Sequence, residues 1–153
     1  MGKIVGQYRT DIENINLSIV PFANDIIPMV DNARFEVFKT VENGAVDLSK
    51  VIGGSRWTYI DMSWGQLKPV SQKSVKENIL QRAHHNLREL RQHPEYYLTA
   101  VKKRDWEFYE LNDAFIIETG MHRTVISRFF FFINSLPPVV QGVAVKRVKI
   151  RCT

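Results

Sequence analysis

The stretch Ile116-Ile117-Glu118-Thr119-Gly120-Met121-His122-Arg123-Thr124 puts an acid, an imidazole and a guanidinium on one short turn. The run before Glu118 is apolar and suited to a strand, and the residues after Gly120 read as the opening of a helix. N–H groups in the first turn of a helix have no intrahelical partner, and the helix dipole favours an anion beside them. Arg123 could add a two-pronged grip on phosphate oxygens. His122 could move a proton near neutral pH. Glu118 could hold Mg²⁺ or orient a water, or it could simply serve as a turn partner for its neighbours. Thr124 could donate a hydroxyl. These parts suit phosphoryl transfer or phosphodiester cleavage. The same string also fits a plain strand-to-helix turn with a surface arginine, because Gly-x-His-Arg is short.

Several elements must position that turn. Trp106–Leu111 and Ala114–Glu118 read as a β-hairpin across Asn112-Asp113, a pair suited to a tight turn. The segment from Thr124 to Ile133, with four consecutive phenylalanines, suits a strand by local propensity. As a helix it would be apolar almost all round, hence buried. Pro137-Pro138 precedes a closing strand, Val139–Ile150, whose end alternates apolar with basic residues. Upstream, Ser71 caps a helix with an apolar stripe of Val75, Ile79, Ala83, Leu87 and Leu90, which Pro94 ends. Its other face carries Lys73, Lys76, Arg82, His84, Arg88 and Arg91 against only Glu77 and Glu89, so it is either a solvated face or one that meets a polyanion. His84-His85 makes a poor chelate, since adjacent residues point to different helix faces. Trp57–Met62 and Tyr96–Val101 read as strands, with a loop at Gly65–Val70 and a basic turn at Lys102-Lys103-Arg104. Within the first 50 residues, Asn24 or Asp25 could cap a segment running through Ile26, Ile27, Met29 and Val30 to Phe35 and Phe38. Asn43-Gly44 and Gly53-Gly54 are turn or loop signals.

With 153 residues, 44% of them apolar and 24% charged, the chain can bury a real core. A formal charge of +5 points to polyanions, such as nucleic acid or nucleotides, or to nothing more than solubility. The single cysteine, Cys152, excludes an internal disulfide and a cysteine-built zinc site, which fits a cytoplasmic protein. No run of about 18 apolar residues occurs, so no membrane helix is expected. No P-loop string and no Gly-x-Ser-x-Gly elbow is present, which removes those two hydrolase classes.

The order of these pieces resembles the ParB/sulfiredoxin-like superfamily. Ile60-Asp61-Met62-Ser63, Leu67-Lys68-Pro69 and the helix from Ser71 look like its opening. Phe108-Tyr109-Glu110-Leu111 through Glu118-Thr119-Gly120-Met121-His122-Arg123 looks like its signature. The resemblance covers residues 57 to 150. It implies an α+β fold, with a small mixed sheet, flanking helices and a helix after Gly120. Residues 1–56 would be an N-terminal extension, partly helical and packed on the nucleotide-binding domain of 57–153. It further implies a site for ATP or CTP, with Mg²⁺ a possible companion, contacted by Gly120, Met121, His122, Arg123 and Thr124. Lys73 or Lys76 would match the lysine that helps in the sulfiredoxin branch. That branch has its reactive cysteine where this chain has Met121, and a thioether forms no thiolate, so sulfinic-acid repair is excluded. The ParB branch includes nucleotide-binding and DNA-cleaving members, and its partitioning members add a helix-turn-helix domain that this chain would lack. The resemblance thus points to a stand-alone member with ATPase or metal-dependent DNase activity, akin to plasmid fertility-inhibition proteins of the Osa type. A non-catalytic protein that blocks or bridges a partner such as DNA-transfer machinery, through residues 1–56, is the alternative.

Overall fold

The computed structural model describes residues 8–55, 62–69 and 83–152. The chain is an α+β protein built on a five-stranded mixed sheet, ordered β2-β7-β5-β6-β3. Its strands are β2 (Phe35–Asp47), β3 (Val51–Gly54), β5 (Glu107–Leu111), β6 (Ala114–Thr119) and β7 (Val139–Ile150). β2 runs antiparallel to β7, β7 parallel to β5, β5 antiparallel to β6, and β6 parallel to β3. A two-stranded antiparallel pair, β1 (Ile26–Ile27) with β4 (Met62–Ser63), stands beside it. Three helices are described: α1 (Trp64–Leu67), α2 (Ala83–Gln92) and α3 (Met121–Ile133).

The β5–β6 hairpin turns where expected. Asn112 and Asp113 both hold positive φ, 51° and 68°, which matches the turn to the right-handed twist of the flanking strands. The closing strand also lies where expected, entered from Pro137-Pro138. The phenylalanine run is helical, although its propensity suits a strand. Phe129, Phe130 and Phe131 are buried, and α3 lays them against Phe22, Tyr8, Tyr97 and the sheet. Burial on nearly every side decides the conformation here, as tertiary packing commonly overrides local preference. Arg128, alone among charged residues in that run, lies over both the Phe22 and the Trp64 rings, at 3.9 and 4.4 Å.

Several expectations are corrected. The segment from Asn24 is not one continuous capped element: it breaks into β1, an irregular stretch and β2. Pro28 denies it a continuous backbone ladder. Asn43-Gly44 lies inside β2, at a bulge, and Gly53-Gly54 ends β3. The stretch read as a loop at Gly65 holds α1, because Ser63 and Gln66 close a reciprocal capping box. No strand runs over Tyr96–Val101: Pro94–Tyr97 is a 3-10 turn, and the chain beyond it pairs with no strand. Residues 56–61 and 70–82 fall outside the described residues, and with them most of the expected strand at Trp57 and the helix start at Ser71, including Lys73 and Lys76. Ala83–Gln92 is helical and stops before Pro94, as expected. β2 and β3 belong to the segment read as an extension, yet both are strands of the central sheet.

Candidate functional site

β6 and α3 meet at Gly120, beyond the carboxyl end of β6 and of its parallel neighbour β3. Open α/β sheets commonly offer a crevice at such strand ends. Gly120 has φ +98°, and a Cβ there would sit 2.4 Å from the Trp106 ring. A glycine is therefore required both by the backbone and by Trp106. It supplies no side chain to cap α3, and the residues of the first turn, Met121 to Arg123, line a cavity of about 860 Å³. Residues 117–123 form one wall. His85, Asn86 and Glu89 of α2 form another, and His93, Tyr96, Tyr97, Arg104 and Asp105 complete it. A cavity of that size takes a nucleotide-sized ligand.

Of the expected residues, Glu118 and Gly120 to Arg123 line this cavity. The Arg123 guanidinium donates to the Tyr96 hydroxyl (2.8 Å), the Arg104 carbonyl (2.9 Å) and the Asp105 carbonyl (2.6 Å), and it lies 5.0 Å from the Trp106 ring. It holds the 104–105 loop against α3. Thr124 is fully buried. Its hydroxyl donates to the Gly120 carbonyl (2.8 Å) and accepts from the Trp106 indole N–H (3.0 Å). It therefore fixes the turn and has no hydroxyl to offer a ligand. Met121 is buried, with its methyl 3.1 Å from the position a Cβ on Gly54 would take. His122 and Glu118 line the cavity.

Glu118 accepts a hydrogen bond from the Thr119 hydroxyl at 2.8 Å. Its carboxyl also meets that of Glu107 on β5, and Lys146 stands 3.8 Å from Glu107. Burial raises the Glu107 carboxyl above its ordinary value, and the shared hydrogen bond with Glu118 adds to that, while Lys146 pulls the other way. The folded state thus keeps a proton that the unfolded chain releases first. Its contribution to stability is fully present below the ordinary glutamate range and is lost as pH rises through the raised value. Glu107→Gln should melt above wild type at neutral pH, and the difference should vanish at pH values below that range. A thermal melt series across pH reads this directly, and a variant that melts below wild type at neutral pH would show that the Lys146 pair outweighs the carboxyl repulsion. For Mg²⁺, Glu118 is the expected carboxylate that lines the cavity. Among the described residues no group of three or more His, Cys, Asp or Glu side chains gathers to hold a metal.

Sequence reasoning missed Arg104, which it took only as part of a basic turn. Arg104 is exposed, lines the cavity and has no carboxylate within 4 Å among the described residues. Three of the four histidines of the chain, His85, His93 and His122, line the same cavity. No spacing signal joins them, because they come from α2, the turn before Pro94 and α3. No protein-family model, no curated protein and no solved structure matches this chain. Its α+β class rests on the structure alone, and no helix among the described residues is long and apolar enough to cross a membrane.

Proposed function

We propose that the cavity at the start of α3 binds a nucleotide through its phosphates, ATP and CTP being the candidates carried by the ParB/sulfiredoxin-like resemblance. The observation that carries this reading is an uncapped helix start and an exposed arginine, Arg104, lining one nucleotide-sized cavity. First-turn N–H groups and a guanidinium are complementary to phosphate oxygens. In this reading Glu118 and His122, which both line the cavity, would act on a bound phosphate, the first by holding Mg²⁺ or a water and the second by moving a proton. ATP hydrolysis or metal-dependent DNA cleavage, in a cytoplasmic protein of plasmid or mobile-element biology, is the catalytic form of this proposal. One observation favours a second form, binding without turnover. Arg123 and Thr124, two of the groups expected to face the ligand, make most of their bonds to the protein. In that form the loaded protein would block or bridge a partner such as DNA-transfer machinery.

Calorimetric titration of ATP, CTP and ADP, with and without Mg²⁺, tests the proposal. Arg104→Ala should weaken binding about tenfold or more, the size of a charge-assisted hydrogen bond, with the circular dichroism spectrum unchanged. No binding by the wild type would end the nucleotide reading. Binding without hydrolysis or DNA cleavage would select the second form. Truncating residues 1–56 is no clean test of partner contacts, because it removes β1, β2 and β3.

A further inference from the structure

We infer that the β2/β7 ribbon carries a second contact, for single-stranded nucleic acid, at the end of the sheet opposite the cavity. The register sets its place. Glu107 pairs with Thr119 at the cavity end, whereas Glu110 pairs with Arg147, and Val37 and Phe35 pair with Val148 and Ile150, toward the far end. Arg34, Lys39, Arg147, Lys149 and Arg151 gather there against the carboxylates of Glu36 and Glu110. Arg34, Lys39 and Arg151 have no carboxylate within 4 Å among the described residues. Lys39 lies directly across the ladder from Arg147, and Arg34 donates to the Arg151 carbonyl while its own carbonyl accepts from the Arg151 N–H. Like charges held opposite one another destabilise a ladder, and a polyanion laid along them relieves that cost.

An aromatic side chain lies among these cations. The register slips between Val37 and Lys39, so Phe38 has no partner in β7, and it is 61% exposed. A bulge of this kind re-aims a side chain away from the regular alternation. An exposed ring among cations is the arrangement that stacks an unpaired base while the cations follow its phosphates. The other occupant to weigh is a second copy pairing along the outer edge of β2. Irregularities at 37/39 and 41/44 and a central Lys39 work against it, since bulges and lysines are what protect an edge from strand addition.

Fluorescence anisotropy of a labelled oligothymidylate of about 15 nucleotides, against a duplex of equal length, reads this contact. The wild type should prefer the single strand. Phe38→Ala should weaken that binding about tenfold. Lys39→Ala with Arg151→Ala should lower the slope of log affinity against log salt by about 0.7 per cation removed. All three positions are exposed, so thermal melts should stay near wild type, and nucleotide binding in the cavity should be unchanged. No oligonucleotide binding, or binding that the ribbon variants leave untouched, overturns the inference. Loss of binding in Arg104→Ala alone also overturns it, by moving the contact to the cavity. Self-association abolished by Phe38→Ala in sedimentation overturns it in favour of a protein interface. Because Arg104→Ala and the ribbon variants act at opposite ends of the sheet, the failure of either proposal leaves the other readable.

Discussion

Replacing Gly120 by alanine should destabilise the protein by about 3 kcal/mol and abolish ligand uptake in the cavity. Two costs combine. At φ +98° an L side chain is strained whatever the space around it, and the new Cβ would overlap the Trp106 ring, with the nearest ring carbon at 2.4 Å and two more ring atoms at 2.9 and 3.0 Å. Trp106 cannot retreat cheaply. It is fully buried, its N–H is committed to Thr124, and Arg123 stacks over it. Relief must come from the start of α3, which shifts the first-turn N–H groups and the clasp that Arg123 makes on the 104–105 loop. Urea denaturation gives the stability loss. Repeating Gly120→Ala in a Trp106→Leu background separates overlap from backbone strain, since only the overlap should shrink. A loss below about 1 kcal/mol in the wild-type background would mean that the turn relaxes freely, and the claim that Trp106 dictates this glycine would fall.

That turn was legible in the sequence because its information is local: an apolar strand, a glycine and a polar helix start follow one another within nine residues. The hairpin and the closing strand were legible for the same reason. The roles inside the turn were not. Whether Arg123 faces a phosphate or two carbonyls depends on where the 104–105 loop lies, and that loop is placed by β5 and β7. Arg104 and the histidines of the cavity come from separate elements, so no spacing could have joined them. The misread segments share a cause. The capping box of α1 is only four residues long and precedes Pro69, so a loop was the natural reading. Tyr96–Val101 has the composition of a strand, but its Tyr96 and Tyr97 rings pack on each other edge to face at 5.1 Å, within or beside a 3-10 turn that Pro94 begins. β2 reads poorly as a strand because five consecutive residues, Glu36 to Thr40, are exposed, so no alternation marks a buried face.

Lys103→Met should cost about 3 kcal/mol, far more than the same change at either basic neighbour. Lys102 and Arg104 are exposed, whereas Lys103 is 1% exposed, and its ammonium donates to the carbonyls of Thr99 (2.8 Å), Val101 (3.2 Å) and Gln141 (2.8 Å). Those three acceptors belong to the connection after Tyr97 and to β7. The lysine therefore ties an unpaired stretch of chain to the sheet, where strand pairing would otherwise do so. The backbone repeats the attachment, with Lys103 N–H donating to the Gly142 carbonyl at 2.7 Å. Gly142, at φ +78°, leaves room for the Val101 carbonyl, which a Cβ would meet at 2.0 Å. Methionine nearly matches lysine in length but has no N–H, so three buried carbonyls would lose a donor together. With the side-chain bonds gone and the backbone bond to Gly142 kept, the loop would hold Arg104 and Asp105 less firmly at the cavity, so nucleotide affinity should fall along with stability. Lys102→Met should leave both close to wild type. Urea denaturation and calorimetry on the two variants give the comparison. Equal stability of Lys103→Met and wild type would show that burying this charge costs as much as its three bonds return, as happens for some buried ions.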